Sequence, residues 1–369
     1  MRALLAERLL ATVMEWSPDD ISRERPLLDV LARLKYDEYQ QFSPGMRFIE
    51  SLAYWLTQFR QSAERQFAYE FFKSKLIFCS AAEMNHLVSL AYADHVRPHL
   101  LRKVAAEVGI NPWHLPRATS LKEFALLERQ TLYLGLSDGA RTDIFRRFNP
   151  RLSHEQVRQS HELADERIEK LLGKLRKGLK DILQADPEED QCRFRTIVLL
   201  DDFSASGISY LRRDGDLLDG KVGSFLNCLL DQKHSMATLA RLPDLDVLVV
   251  LYMATDYAIG YLRKQLEPIC EVSGIRAVVS VVYPLGDHVR IVKGQNPQFD
   301  ALLDAYYDDD NETESTRLGG TDLKYGFAGC GLPLVLSHNT PNNSIGLLWA
   351  EGRKMRPLFP RITRHKDRV

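Results

Sequence analysis

Two adjacent carboxylates, Asp201 and Asp202, directly follow the apolar run Ile197–Leu200, which indicates a buried parallel strand. After them the chain continues as a loop of small and hydroxylated residues. Ligands of open α/β sheets bind beyond the carboxyl ends of the strands, where such a loop presents N–H groups and hydroxyls to an anion. The residues that we predict to bind a phosphate are Ser204, Ala205, Ser206, Gly207, Ile208 and Ser209.

The carboxylates of Asp201 and Asp202 need a partner other than this phosphate, because like charges repel. Two vicinal hydroxyls of a ribose are suitable partners, and so is a Mg²⁺ ion held between acid and phosphate oxygens. We therefore predict that both residues bind ribose or metal. The alternative interpretation is an acid pair that caps a strand and is followed by a polar turn without a ligand.

A second polar turn follows the strand predicted at 131–136 and contains Ser137, Asp138, Gly139 and Arg141. Two further arginines lie close behind it in the sequence. This pattern places a tight turn and cations at the end of a neighbouring strand. The alternative is the N-terminus of a helix with arginines on its surface.

A third polar segment follows the strand predicted at 333–337 and is dense in amides and hydroxyls over 338–344. Asparagine side chains suit the donor and acceptor edge of a base or sugar, and a histidine can act as an acid or base or bind pyrophosphate. We predict that this segment binds a base or an acceptor. Ordinary turn chemistry is the alternative. The residues concerned are His338, Asn339, Asn342 and Asn343.

Short apolar runs alternate with amphipathic stretches from about residue 75 onward, which is typical of a mostly parallel α/β sheet covered by helices. The predicted strands are 75–79, 131–136, 195–201, 246–252, 277–283 and 333–337, and the predicted helices are 81–106, 119–128, 153–184, 222–240 and 256–268. The helix at 153–184 would begin with a capping box, Ser153 to Gln156.

The N-terminal region shows helical spacing of its apolar residues. Its aromatic residues between Trp55 and Phe72 could stack on bases, but at this spacing we interpret them as core. We divide the chain into a helical region, 1–72, an α/β domain, 73–350, and a basic C-terminal tail, 351–369.

The composition excludes several classes of protein. Lys and Arg total 49 and Asp and Glu 50, so the net charge of −1 gives no global attraction to nucleic acid or to an anionic membrane. The five cysteines lie far apart, which argues against a disulfide framework and a zinc cluster and fits the cytoplasm. We find neither a secretory signal nor a membrane-spanning run and expect no membrane partner. Arg353 to Arg368 form a local basic patch that could bind nucleic acid.

The segment 197–209 resembles the phosphoribosyl-pyrophosphate (PRPP) motif of type I phosphoribosyltransferases, with apolar residues, two acids and a Ser/Thr-rich loop. It departs from the family pattern at Ser206, where Thr is usual. The resemblance implies that Asp201 and Asp202 bind the ribose and that the loop binds its 5′-phosphate. It also implies that Ser137, Asp138, Gly139 and Arg141 hold pyrophosphate, with Arg141 and Mg²⁺ stabilising the leaving group.

The combination of 134–141, 201–207 and 338–344 resembles a divergent phosphoribosyltransferase-like family of bacterial conflict and anti-phage defence systems. Some of its members accompany retron reverse transcriptases as effectors, which implies a reverse transcriptase with its nucleic acid, or another defence protein, as a partner. The implied activity is transfer or cleavage at the anomeric carbon of PRPP or a nucleotide, with Asp201, Asp202 and Arg141 as catalytic residues. The alternative is a non-catalytic subunit that senses a nucleotide or binds a partner.

Overall fold

The chain divides into two units in a computed structural model that describes residues 3–215, 217–313, 316 and 318–362. The helical unit comprises residues 1–83 and 287–369, and the sheet unit comprises residues 84–286. The division at 72/73 and 350/351 that we draw from the sequence stays a prediction.

The sheet unit is built on five parallel strands in the order β3-β2-β4-β7-β8. Thr131, Thr196, Asp246 and Arg276 stand side by side in register, so these strands share one amino edge and one carboxyl edge. All ten residues of the interior strand β7 are buried, which explains the apolar run between Asp246 and Thr255. The strands are β2 (Thr131–Gly135), β3 (Val157–Arg158), β4 (Thr196–Ser204), β7 (Asp246–Thr255) and β8 (Arg276–Leu285).

Helices pack on this sheet and confirm the predicted mostly parallel α/β fold. The apolar side of α10, with Leu171 and Leu175, shares one core with Phe225 of α11 and Leu262 of α12. The helices of the unit are α5 (Ala81–Leu90, which begins in the helical unit), α6 (Arg97–Val108), α7 (Leu115–Ser120), α8 (Lys122–Arg129), α9 (Thr142–Phe148), α10 (Asp165–Leu183), α11 (Lys221–Leu230) and α12 (Asp256–Ser273). A π-helical turn, Ala91–Val96, connects α5 to α6.

Two predicted helices begin or end ten or more residues from the observed boundary. The helix predicted at 153–184 begins only at Asp165, and its capping box is wrong. The side chain of Gln156 donates to the carbonyls of Glu128 and Thr131 at 2.8 and 2.7 Å, and Val157 pairs with β2. Hydrogen bonds to the end of α8 and to β2 thus replace the helical ones. The helix predicted at 222–240 ends at Leu230.

The helical unit contains the remaining two predicted strands, which do not join the large sheet. Strand β1 pairs in parallel with β9 as a separate two-stranded sheet. The predicted core role of the aromatic stripe is confirmed for Trp55, Phe59 and Phe72, which are fully buried. The elements of this unit are α1 (Ala3–Met14), α2 (Pro18–Leu34), α3 (Phe48–Leu56), α4 (Ser62–Lys75), β1 (Ile77–Cys79), α13 (Pro297–Tyr306), β9 (Leu334–Leu336) and α14 (Gly346–Trp349).

The C-terminal segment packs into the helical unit as far as it is described. Phe359 is fully buried among the rings of Tyr39, Phe48 and Phe78. The guanidinium of Arg361 lies over the ring of Trp349, 5.4 Å from its centroid. The rest of the predicted basic tail, 363–369, lies outside the described residues. None of the helices in the described part of the chain combines the length and apolar character needed to span a bilayer.

A buried charge cluster lies at the amino edge of the large sheet, around the Asp246 carboxylate. Asp246 is 1% exposed and accepts hydrogen bonds of 2.7 Å from His99 and Arg276, and Lys103 lies 3.3 Å away. Burial opposes its ionisation, but these hydrogen bonds and the charge of Lys103 outweigh burial and lower the pKa of Asp246 to about 2.

The depressed pKa of Asp246 predicts acid sensitivity of the fold. A lowered folded-state pKa contributes stability above the unfolded-state value, and that stability is lost as the pH falls through the folded-state value. The contribution of Asp246 to the free energy of unfolding should therefore decrease by about 2 kcal/mol between pH 4 and pH 2. Urea titrations across this range should show a shallower pH dependence for Asp246→Asn than for the wild type. The half-exposed Asp244→Asn is the matched control, and an equal slope in Asp246→Asn would contradict the prediction.

Candidate active site at the carboxyl edge of the sheet

The carboxylate of Asp201 lies at the centre of the predicted site and is completely buried. One of its oxygens accepts a hydrogen bond from the hydroxyl of Ser137 and another, of 3.1 Å, from the N–H of Asp202. The other oxygen accepts from the hydroxyl of Tyr210 at 2.7 Å and from the ammonium of Lys221 at 2.5 Å. Asp201 therefore connects the turn after β2, the loop after β4 and the start of α11.

Burial raises the pKa of Asp201, and the neighbouring charge of Asp202 adds to this effect, while Lys221 and the hydrogen bond from Ser137 oppose it. Lys221 is the only ammonium among these contacts, and it also lies 4.8 Å from the centroid of the Tyr210 ring. The ammonium of Lys221 thus compensates the buried carboxylate of Asp201.

Asp202 leaves β4 on the face opposite to Asp201, because successive residues of a strand face opposite ways and β4 continues to Ser204. Its side chain is half-buried, and one carboxylate oxygen accepts from the N–H of Phe203 at 2.8 Å. The carboxylate packs closely against Gly139, where an added Cβ would lie 2.4 Å from it. The structure therefore brings Asp202 beside the turn that follows β2.

The predicted phosphate loop is a tight turn closed by the N–H groups of Tyr210 and Leu211, which donate to the carbonyl of Gly207. Gly207 has a φ of +77°, and a Cβ there would lie 2.6 Å from the ring of Tyr261. Within the described residues, the N–H groups of Ser206, Gly207 and Ser209 donate to no acceptor of the chain. The buried hydroxyl of Ser204 also has no partner there. These donors suit an anion such as phosphate.

A short hairpin, which the sequence analysis missed, separates this loop from the next helix. It consists of β5 (Arg212–Asp214) and β6 (Leu217–Asp219), and α11 starts two residues later with Lys221. The Gly215-Asp216 pair in the sequence, a dipeptide that favours two-residue hairpin turns, was a usable signal. Because the hairpin reverses the direction of the chain, the start of α11 lies next to β4, and the ammonium of Lys221 reaches the carboxylate of Asp201.

The turn after β2 places its residues around the acid pair. Ser137 binds Asp201 and also accepts from the N–H of Gly139 at 3.2 Å. Asp138 is exposed, and its carbonyl accepts from the N–H of Arg141. The guanidinium of Arg141 donates to the amide oxygen of Asn85 at 3.0 Å. Because a guanidinium has five N–H groups, this contact leaves donors for an anion.

The predicted base-binding residues lie in the helical unit, where the carbonyl of His338 accepts a hydrogen bond of 2.7 Å from Gln41 and that of Asn342 one of 2.7 Å from the N–H of Phe327. The Asn339 amide oxygen accepts from the N–H groups of Thr340 and Ile362, at 3.0 and 3.2 Å. The Asn343 amide donates to the carbonyl of Phe327 at 3.2 Å. These bonds are the turn chemistry that the sequence left open as the alternative. A binding role for His338, Asn339, Asn342 and Asn343 stays a prediction.

The contacts of the acid pair bear on the predicted Mg²⁺ ion. Both oxygens of Asp201 are occupied by donors of the chain, so Asp201 does not fit as a metal ligand in this arrangement. Asp202 fits better, because Mg²⁺ is commonly held by one or two carboxylates together with substrate phosphates. Among the described residues, no group of three or more His, Cys, Asp or Glu side chains could hold a metal by itself.

Comparison with known proteins gives one match. Neither a curated protein nor a solved structure shows significant similarity to the chain. Residues 52–361, however, match the PRTase-CE family, a phosphoribosyltransferase-like family, and this range includes all residues of the site. The match spans well over half of the 369 residues. The chain therefore belongs to the phosphoribosyltransferase-like PRTase-CE family.

Proposed function

We propose that the chain is a phosphoribosyltransferase-like effector of a bacterial defence system, which binds PRPP or a nucleotide in the cytoplasm and acts at the anomeric carbon of the ribose. The observation that carries the binding proposal is the turn at Gly207, whose neighbouring N–H groups lack acceptors among the described residues and follow directly after the Asp202 carboxylate. The defence role rests on the resemblance of the sequence motifs alone.

Each part of the site has a proposed task. The loop from Ser204 to Ser209 binds the 5′-phosphate through N–H groups and hydroxyls. Asp202 accepts hydrogen bonds from the ribose hydroxyls, and Asp201 positions Ser137, Tyr210 and Lys221 without touching the ligand. This division departs from the expectation that both acids bind the ribose.

The proposed reaction breaks the bond between C1 of the ribose and its leaving group. In transfer from PRPP, the electron pair of the C1–O bond leaves with pyrophosphate, and C1 bonds to a nitrogen or oxygen of the acceptor, which releases a proton. Arg141 would stabilise the leaving pyrophosphate as a bidentate donor. When bound at Asp202, Mg²⁺ would neutralise further phosphate charge there.

Replacement of Asp202 by Asn tests this function. Because a hydrogen bond to a charged acceptor contributes about 1.5–3 kcal/mol, Asp202→Asn should weaken the binding of PRPP at least about tenfold and abolish turnover. Its free energy of unfolding should stay within about 0.5 kcal/mol of the wild type. The measurements are calorimetric titration with PRPP and a metabolite profile of cells that express each variant. Glu271→Gln, an exposed carboxylate on α12, is the matched control. Unchanged binding and metabolites in Asp202→Asn would refute the assignment.

A nucleotide sensor without turnover is the second candidate function. It is favoured by the contacts of Asp201, whose two oxygens are occupied by Ser137, Tyr210, Lys221 and the N–H of Asp202, so that this carboxylate takes no part in catalysis. A sensor would bind PRPP or a nucleotide saturably and return it unchanged. Detection of a product of PRPP or of the nucleotide in the titrated sample would show that the chain is an enzyme and not a sensor.

A further inference from the structure

A pair of tyrosines on α12 lies beside the predicted phosphate loop. Helix α12 begins at Asp256, directly where β7 ends at the carboxyl edge of the sheet. Thr255 caps this helix by accepting from the N–H of Ala258, and its hydroxyl donates to the carbonyl of Ala205 at 2.6 Å. The first turn of α12 is therefore fixed to the loop by a buried hydrogen bond.

The ring of Tyr261 packs against the loop itself, since a Cβ on Gly207 would lie 2.6 Å from it. Tyr257, one helical turn earlier, places its ring almost parallel to that of Tyr261, with 6.4 Å between centroids and 23° between planes. Because α12 starts at the carboxyl edge, Tyr257 lies nearer to this edge than Tyr261 does. The two rings extend the surface of the loop along the helix.

The outer part of this surface is open. Tyr257 is 51% exposed, whereas Tyr210 and Tyr252 in the same unit are fully buried. A Cβ on Gly260, which lies three residues after Tyr257 and therefore on its side of α12, would meet no atom within 4 Å. Single exposed aromatic residues are common and need no explanation. Here, however, the exposed ring of Tyr257 stacks on Tyr261, which packs against the phosphate loop, and the space beside Tyr257 is open.

We propose that Tyr257 and Tyr261 form a stacking surface for the heteroaromatic base of a nucleotide whose phosphate is bound by the loop at Gly207. The inference rests on the proposed function and adds the class of ligand, a nucleotide in preference to a ribose phosphate without a base. Stacking of a base on an aromatic side chain contributes about 1–3 kcal/mol. The base of a nucleotide is attached to the ribose and therefore extends beyond the phosphate bound by the loop. The face of the Tyr257 ring would bind this base by stacking, without hydrogen bonds specific to one base.

Titration with two ligands that differ only in the base tests this proposal. Ribose 5-phosphate and adenosine 5′-monophosphate should both bind the full chain, the nucleotide about tenfold more tightly. Tyr257→Leu should remove most of this difference and leave the affinity for ribose 5-phosphate unchanged. Tyr257→Phe should retain it, and so should Tyr54→Leu, a control at an equally exposed tyrosine of the helical unit.

Gly260→Leu provides a second variant that does not remove either ring. A leucine there would occupy the open space beside Tyr257, so it should weaken binding of the nucleotide and not of ribose 5-phosphate. If the wild type binds ribose 5-phosphate but Tyr257→Leu and Gly260→Leu bind the nucleotide as tightly as the wild type, the stacking surface is refuted and the proposed function survives. If the wild type binds neither ligand, both proposals fail.

Discussion

Replacing Lys221 by methionine should lower the free energy of unfolding at pH 7 by about 3 kcal/mol. The ammonium of Lys221 lies 2.5 Å from an oxygen of Asp201, whose side chain is completely buried. Methionine retains the apolar stem but leaves the buried carboxylate with neutral donors only. Breaking one side of a buried ion pair is costly because the remaining charge is neither solvated nor compensated.

The loss in Lys221→Met should depend on pH in a defined direction. Burial already raises the pKa of Asp201, and removing the ammonium raises it further. A group with a raised folded-state pKa contributes stability below its unfolded-state pKa and loses it as the pH rises through the folded-state value. The destabilisation relative to the wild type should therefore be largest at pH 7 and shrink towards pH 4, as Asp201 takes up a proton.

Urea unfolding of Lys221→Met at pH 7 and pH 4 measures both effects. Lys170→Met is the matched control, because Lys170 is 65% exposed in its pair with Glu166 and should contribute less than about 0.5 kcal/mol. The double variant Asp201→Asn/Lys221→Met, which removes both charges, should be more stable at pH 7 than Lys221→Met alone. A loss in Lys221→Met that is as small as in the control, or constant with pH, would contradict this account of the pair.

The sequence located the acid pair but assigned both acids the same role. Our interpretation ended the strand at Asp201, whereas β4 continues to Ser204. Inside a strand, adjacent side chains face opposite ways, so Asp201 and Asp202 have different surroundings although both reach the turn after β2. Extending the strand by three residues was enough to predict two roles, one for a completely buried carboxylate and one for a half-buried carboxylate.

Local sequence patterns succeeded where burial dictates composition. The apolar runs that follow Thr131 and Asp246 predict strands, because parallel strands inside a sheet are buried on both faces. They do not indicate which strands pair, so the separate pairing of β1 with β9 could not be predicted. Lys221 was missed for a related reason, since it reaches Asp201 across 20 residues of chain through a hairpin.

Replacing Gly207 by alanine should both destabilise the fold and weaken the binding of phosphorylated ligands. Gly207 has a φ of +77°, where a Cβ costs about 1–2 kcal/mol, and this Cβ would lie 2.6 Å from the Tyr261 ring. Relief of that overlap must displace the loop or the ring, which adds about 1–3 kcal/mol. We expect the free energy of unfolding to fall by about 3 kcal/mol in total.

The displaced loop should also bind ligand poorly. The N–H groups on either side of Gly207 can converge on a phosphate only in the present turn, so Gly207→Ala should weaken the binding of ribose 5-phosphate at least about tenfold. Gly274→Ala is the matched control, because Gly274 has a φ of +74° but no atom within 4 Å of an added Cβ. It should cost about 1 kcal/mol and leave binding unchanged. Equal effects of the two variants on unfolding and on titration with ribose 5-phosphate would show that contact with Tyr261 is unimportant. Unchanged binding by Gly207→Ala would remove this loop as the phosphate site.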